Sequence, residues 1–547
     1  MAARGVEPET GLSGRSRFRR CGLFGVLVLA AVVRLAYIAE LRATPWFDRL
    51  VVDPEYYDAW AQRIAAGDWL GTGAFYMDPL YPYVLGALYA VVGRDLLLAR
   101  LLNVVCSVGA CAFTAALGRR TGGTTVGLLA GLGLALYEPD VFNCGELDKT
   151  ALSMLLVAAF LFLMTDHRRG ARFAAGLVLG LAALTRANLL VFAPLGALVI
   201  ARDSREADPA ARVRAAAVFV AGFVLALAPV TLRNLAVAGA FVPTTTQLGQ
   251  NFYTGNNPEN PYGAYGVVSF VRANPHFEEA DFRAAAEARA GRPLGPNEVS
   301  RFWLRAALAH VAADPAFAAR AFVRKAVLFW NDFEISDSQD QYLMERESRT
   351  LRLPLLGFGE VAAFAVLGFV VRRRVRAVRH LAAYVVVYGA TLVAFFVFAR
   401  YRVQVVPALL PLAALGVTAL AGRLREGDPR RIAGALTVVG IAGALSFQTI
   451  GLFSADHPNV VEMRLRRYAD VYLQAGQPER AIAALQEAIP GCTHGCPWAL
   501  KDLFEIYRTT GRTADGIRYL EGFIRDHPQQ RDAPEYLAAL RAPTALR

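Results

Sequence analysis

The sequence predicts an all-α polytopic membrane protein with an extracytoplasmic, mostly helical subdomain and a C-terminal α-helical repeat module. Three observations predict it. The 547 residues are 55% hydrophobic and only 19% charged, against roughly 25% charged in ordinary soluble domains. Apolar stretches near the ~20 residues needed to cross a bilayer recur along the chain. The net charge of +12 collects in the short loops between them. Basic loops stay on the cytoplasmic side, so the charge reads as a topology signal. Nucleic acid is not needed to explain it, and no basic groove with interleaved aromatics is present.

Candidate spans lie near 20–41, 97–118, 123–142, 147–166, 171–186, 188–202, 213–232, 354–372, 380–399, 402–421 and 431–453. The first follows "RSRFRR". It is long, contains Arg34 and has no small-residue cleavage site, so it reads as a retained span rather than a signal peptide. The stretches 171–186 and 188–202 are short. The piece 79–93, "PLYPYVLGALYAVVG", is also short and carries Pro79 and Pro82. Treating it as an interfacial or re-entrant helix leaves about 11 crossings. The N-terminus and the basic loops 118–123, 166–172, 201–214, 372–380 and 422–431 then all face the cytoplasm. Counting 79–93 as a crossing would put "RRRVRAVRH" outside.

The expected organisation is a basic cytoplasmic N-terminus (1–19), a membrane module (20–232) with its first outer loop at 42–96, an extracytoplasmic subdomain (233–353), further membrane helices (354–453) and an outer repeat module (454–547). The segment 233–353 is too polar to span and too long for a plain loop. In the last part "YLQAGQPERAIAALQEAI" matches "YRTTGRTADGIRYLEGFI", pairing Tyr472 with Tyr507, Gly476 with Gly511, Ala481 with Gly516 and Leu485 with Leu520. The offset resembles the tetratricopeptide repeat, whose period is about 34 residues. Two units are few for independent stability, so the module is expected to lean on the membrane domain or a partner. Between the units, Cys492 and Cys496 could form a disulfide in an oxidising compartment. With His494 they are too few for a structural zinc site.

The outer loops hold the unusual residues. "VVDPEYYDAW" places Asp53, Glu55 and Asp58 beside Tyr56, Tyr57 and Trp60. Acids with rings suit carbohydrate; solvated loop charge and an interfacial aromatic belt are the alternatives. "YEPDVFNCGELDKTAL" puts Asp140, Glu146 and Asp148 at a span end. There an acid is expensive and points to function, unless it only caps a helix start. Arg186, Arg233, Arg400 and Arg402 sit at outer span ends, against the positive-inside trend. A guanidinium stays charged and grips phosphate in a bidentate fork; snorkelling or pairing with the outer acids is the alternative. Tyr57, Asp78, Tyr253 and Asn256 are candidate substrate contacts. Asn251, Tyr253, Asn256 and Asn257 in "GQNFYTGNNP" read equally as turn formers. No phosphate loop, dinucleotide fingerprint or HExxH motif occurs.

The ordered series of a first-loop Asp, "GDW", "DPLYPY", the acid-bearing second turn, "LTRANLLVFAPL", "APVTLRNLAVAGAFVPTTTQLGQNFYTGNNP" and "ARYRVQVVPALLPLAALG" resembles the bacterial GT-C glycosyltransferases of the protein O-mannosyltransferase and aminoarabinose-transferase type (glycosyltransferase family 39-like). The resemblance covers roughly residues 20–420. It implies a GT-C-like bundle and a polyprenyl-phosphate sugar donor used on the extracytoplasmic face of the bacterial inner membrane. It also implies a lipid, glycan or protein acceptor, and allows C-terminal tetratricopeptide repeats that recruit a protein partner. Asp53 matches the family's catalytic Asp, although Asp53-Pro54-Glu55 stands where Asp-Glu is usual and Asp78-Pro79 where Pro-Pro is usual. Glu146 or Asp148 matches the second-loop acid. Arg400 and Arg402, with Arg186 and Arg233, match donor-phosphate contacts. The reaction requires no cofactor; a divalent metal is compatible with the acids. A transporter or flippase for lipid-linked sugars, or a membrane-anchored tetratricopeptide scaffold, are the alternative classes.

Overall fold

The computed structural model describes residues 11–203, 208–266, 268–272, 274–449, 457–489, 497–528, 530 and 532–542. The candidate disulfide of Cys492 and Cys496, with His494, lies outside them. Every regular element among the described residues is a helix, and strand pairing is limited to two isolated bridges, Tyr137 with Leu356 and Ala264 with Val397. Helix starts follow the local chemistry. Asp95, Asp208 and Asp428 each accept hydrogen bonds from backbone N–H groups of the turn that follows, which satisfies donors that the helix itself leaves unpaired.

Among the described residues, five helices are long and apolar enough to cross a membrane: Gly22–Arg42, Leu96–Gly122, Pro209–Ala238, Arg376–Ala394 and Ala399–Glu426. The chain is therefore a multi-pass membrane protein. Shorter apolar helices are Leu80–Val92, Thr124–Ala135, Thr150–Leu163 and Ala187–Arg202. The stretch 123–142, expected as one span, is two pieces, Thr124–Ala135 and Glu138–Asn143. At the break the backbone leaves the helix and pairs with Leu356, through Glu138 N to Leu356 O at 3.0 Å and Leu356 N to Leu136 O at 2.8 Å. Farther along the chain, helices Pro296–Ala313 and Pro315–Trp330 are parted at Asp314-Pro315.

Several helix pairs among the described residues approach to backbone contact through glycine, two of them reciprocally. A Cβ on Gly176 would stand 1.9 Å from Phe219 O, and one on Gly222 would stand 2.2 Å from Phe173 O. Between Phe358–Arg372 and Val406–Glu426, a Cβ on Gly368 would meet Leu412 O at 1.9 Å and one on Gly416 would meet Phe364 O at 2.1 Å. Small residues at such crossings let dispersion and packing hold helices that gain nothing from hydrophobic burial in lipid.

The contacts divide the chain into two compact units. The first comprises Met1–Ala39, Leu50–Gln339 and Arg349–Gln448; the second comprises Glu40–Arg49, Asp340–Ser348 and Thr449–Arg547. In the second, helices Pro458–Gln474, Pro478–Ala488, Pro497–Thr509, Thr513–Asp526 and Ala533–Arg541 pack in chain order. Gly476 and Gly511 both take φ +73° at matching turns, and Tyr472, Tyr507, Leu485 and Leu520 are buried at matching positions. The unit also incorporates two short segments from distant parts of the chain. Arg464 pairs with Asp340 at 2.7 Å, Arg346 with Glu487 at 2.7 Å and Arg480 with Glu347 at 2.8 Å. Trp46 packs on Tyr468 with ring centroids 6.4 Å apart.

Candidate active site

Asp53 opens the helix Asp53–Ala65, with Pro54 in its first turn. The residue before it, Val52, has φ 58° and ψ −120°, the one positive φ outside glycine among the described residues. A β-branched side chain there is strained, and such strain persists where the surroundings over-determine the backbone. The surroundings are tight. Tyr57, Ala61 and Ile64 are buried, Tyr57 meets Tyr81 edge-on at 5.7 Å, and a Cβ on Gly86 would come within 2.7 Å of Ile64. The helix is thereby locked against Leu80–Val92, and Asp53 is fixed at its tip.

The Asp53 carboxylate meets Arg400. Arg400 Nη2 donates to Asp53 Oδ2 at 2.6 Å, and Arg400 Nη1 donates to Asp148 Oδ2 at 3.3 Å. Asp337 pairs with the same guanidinium. Asp148 is held by its own helix start, accepting from Thr150 N at 2.7 Å and Thr150 Oγ1 at 2.8 Å. Arg186 donates to Thr150 Oγ1 at 3.2 Å and to the Arg400 carbonyl at 2.8 Å. Its guanidinium lies 4.5 Å from the centre of the Tyr401 ring, and that of Arg400 lies 5.5 Å from the same ring. Segments near 53, 148, 186, 337 and 400 thus converge on one cluster.

Several buried polar atoms here have no protein partner: Arg186 Nε, Arg400 Nε, Tyr57 hydroxyl, Asp78 Oδ1 and Glu146 Oε1. Unpaired buried polar groups cost free energy, and a ligand or water bound at this cluster would complete their bonding. Glu146 is buried, and burial with the nearby Asp148 charge raises its pKa to about 8. At neutral pH it is a neutral acid, able to donate a hydrogen bond. Asp78 is tied to Lys149 in a buried ion pair beside Tyr57. Glu278, in the first turn of helix Pro275–Ala290, is raised to about 7 by burial first and by the charge of Asp53 next.

Other sequence candidates lie apart from this cluster. Glu55 is exposed in the first helical turn. Asp58 is a structural acid, accepting from Arg94 Nε at 2.9 Å and from the Tyr89 hydroxyl at 2.7 Å. Asp140 forms a fully buried pair with Arg34, whose Nε also donates to Ser107 at 2.5 Å; each explains the other's presence at membrane depth. Arg402 pairs with Glu334 at 2.6 Å and donates to the Asn331 carbonyl, with its guanidinium 4.1 Å from the centre of the Phe358 ring. Arg233 donates to Leu70 and Gly73 carbonyls and stacks on Phe75 at 3.8 Å. Tyr253 packs in an aromatic core, 4.6 Å from Trp303. Asn256 ties Phe252 O, Ala394 O and Lys325 Nζ together at 2.9 Å each, and Asn257 binds the Tyr253 carbonyl.

Sequence reasoning missed Asp337, Lys149 and Glu278. "EISDSQDQ" has no periodicity to single out one acid, Lys149 reads as a helix-start cation, and Glu278 in "HFEEADFR" reads as a solvated helix face. Among the described residues, no group of three or more His, Cys, Asp or Glu is arranged to hold a metal ion; Arg400 supplies the positive charge at the centre of the acids.

Residues 77–231 match the protein family described as dolichyl-phosphate-mannose-protein mannosyltransferase. That stretch takes in Asp78, Glu146, Asp148 and Arg186 and leaves out Asp53, Asp337 and Arg400. No curated protein matches. Among solved structures, the oligosaccharyltransferase AglB from Archaeoglobus fulgidus, in complex with an inhibitory peptide and a dolichol-phosphate, is similar at 14% identity and TM-score 0.43. The similarity covers 83% of this chain and 60% of that one. ArnT from Cupriavidus metallidurans, bound to undecaprenyl phosphate, is similar at 15% identity and TM-score 0.43, over 91% of this chain and 79% of that one. The chain thus spans about 60% of the length of the archaeal enzyme.

Proposed function

We propose that this chain is an integral-membrane glycosyltransferase that moves a sugar from a polyprenyl-phosphate donor to an acceptor, with inversion. The family match over 77–231 supports the class. The observation that carries the reading is the 2.6 Å contact of Asp53 with Arg400. It sets a carboxylate fit to be a base against a guanidinium fit to hold phosphate, and both come from outside the matched stretch.

In this reading Asp53 takes the proton from the acceptor hydroxyl or amine as that atom attacks the anomeric carbon. The sugar passes through an oxocarbenium-like state. The bond to the donor phosphate breaks with its electron pair going to phosphate, so the leaving group needs no proton. Arg400 and Arg186, each with an unpaired Nε, stabilise that charge. Asp148 holds Arg400 in place. Glu146, neutral at pH 7, donates a hydrogen bond. No metal is required by these steps; activity with and without a chelator reads metal dependence directly. The site faces the extracytoplasmic side of the bacterial inner membrane, with the N-terminus inside. The C-terminal helical unit is a tetratricopeptide-like module that meets a partner or acceptor protein. Transport or pure scaffolding would leave the convergence of charges without a role.

The test is Asp53→Asn in membranes supplied with polyprenyl-phosphate sugars. Transfer is expected to fall by at least ~100-fold at normal expression. Wild-type rates in that variant would remove Asp53 from catalysis.

A further inference from the structure

Helix Pro275–Ala290 starts at a fixed corner. Asn274 Oδ1 accepts from His276 N at 2.9 Å, and Pro275 fills the first turn. That turn docks on the helix that begins with Asp53: the His276 and Tyr56 rings are 5.1 Å apart at 62°. Glu278 stands in the same turn. The groups that face it are Asp53 at the tip of Asp53–Ala65, Asp337 of the Arg400 cluster, Tyr76 from the stretch before Leu80–Val92, and Tyr265 from the stretch that pairs with Val397. Among the described residues no cation pairs with Glu278, whereas its neighbour Glu279 is paired with Arg283 at 2.9 Å. Asp53, by contrast, is committed to Arg400.

We propose that Glu278 is the second proton site of the transfer reaction: the proton that Asp53 takes from the acceptor passes on to Glu278 and then to solvent. This rests on the glycosyl-transfer reading above. The balance is complete. The acceptor loses one proton and gains the bond to the anomeric carbon, the donor phosphate leaves with the electron pair of the old bond, and Asp53 returns to its ion pair with Arg400. Asp53 is held by Arg400, so the acid without a cation is the better resting place for the proton. Burial and the Asp53 charge hold Glu278 near pH 7, where one group can both take and release a proton at working pH.

The experiment uses the full chain in proteoliposomes, with a panel of undecaprenyl-phosphate hexoses and pentoses as donors, membrane extract as the acceptor source and released undecaprenyl phosphate as the readout. The wild-type kcat is expected to rise with pH through about 7, because Glu278 must be ionised to receive the proton. Glu278→Gln is expected to lower kcat at least ~10-fold, leave the donor KM unchanged and abolish the inflection. Glu278→Asp is expected to retain an inflection and part of the rate. A Glu278→Gln variant with wild-type kcat, or with the inflection intact, overturns the inference while leaving the transfer reading standing. A wild-type chain that releases undecaprenyl phosphate from no donor overturns the transfer reading, and this inference with it.

Discussion

Arg400 balances three carboxylates with one positive charge. Asp53, Asp148 and Asp337 all reach it, and burial first, with the charge of these carboxylates next, raises the pKa of the neighbouring acids Glu146 and Glu278. Glu146 is the clearest case: burial and Asp148 lift its pKa from the ordinary 4.5 to about 8. The sign of the consequence is fixed by linkage. Between about pH 4.5 and 8 the folded chain keeps this proton and the unfolded chain has lost it, so stability falls as pH rises through that window. Glu146→Gln keeps the shape and removes the titration. It is expected to match the wild type in thermal unfolding at pH 5 and to melt higher at pH 8.5; equal melting at both pH values would show that Glu146 does not titrate in this window. Asp53 and Arg400 stood out in the sequence because each breaks a local pattern: an acid-and-ring cluster just after an apolar run, and a basic pair at the end of another. Asp337 and Glu278 break no such rule. Their importance comes from neighbours distant in the chain, which no local pattern records. Arg402 and Arg233 were legible as unusual, yet the same guanidinium chemistry that binds phosphate also clamps backbone carbonyls, and here both do so.

At the scale of elements, apolar runs located the helices, and their ends were less visible. The break after Ala135 depends on a backbone exchange with Leu356, a partner far along the chain. The helix crossings show what the runs could not. Gly368 and Gly416 face each other's helix reciprocally, each with a carbonyl about where a Cβ would go. The reciprocity means that one added methyl group must push the whole pair apart, because backbone cannot rotate away as a side chain does. Gly368→Ala is therefore expected to cost about 1–3 kcal/mol, the range of overpacking, and Gly416→Ala a similar amount. The double variant is expected to cost less than the sum, because the first separation already makes room for the second methyl group. Gly434, with no heavy atom near its would-be Cβ, is the control and is expected to tolerate alanine. Unfolding of the purified chain in detergent measures all four; strict additivity of the two packed sites would show that the close approach is not shared.

At the scale of the whole molecule, the division into units does not follow chain order. The 35-residue offset was readable because Tyr472 and Tyr507, and Gly476 and Gly511, recur, and both glycines take φ +73°. The recruitment of 40–49 and 340–348 into the same unit was not, since neither segment resembles a repeat. Two hairpins leave an unsatisfied outer face, and these segments supply partners. Asp340 and Arg464 are nearly buried as a pair, Glu347 receives both Arg480 and the Tyr468 hydroxyl, and Trp46 covers Tyr468. Breaking a buried pair by removing one member costs about 3 kcal/mol or more, so Arg464→Ala is expected to destabilise this unit strongly. Deleting 449–547 removes Arg464, Arg480, Tyr468 and Glu487 together, the groups of that stretch that Asp340, Glu347, Trp46 and Arg346 meet. The expected result is a chain whose 340–348 segment is cut by trypsin after Arg346 much faster than in the full-length protein, because Arg346 loses its bidentate bond to Glu487. Arg464→Ala should show an intermediate rate. If all three cut at the same rate, the segment holds its conformation without the helices, and the second unit does not depend on these pairs.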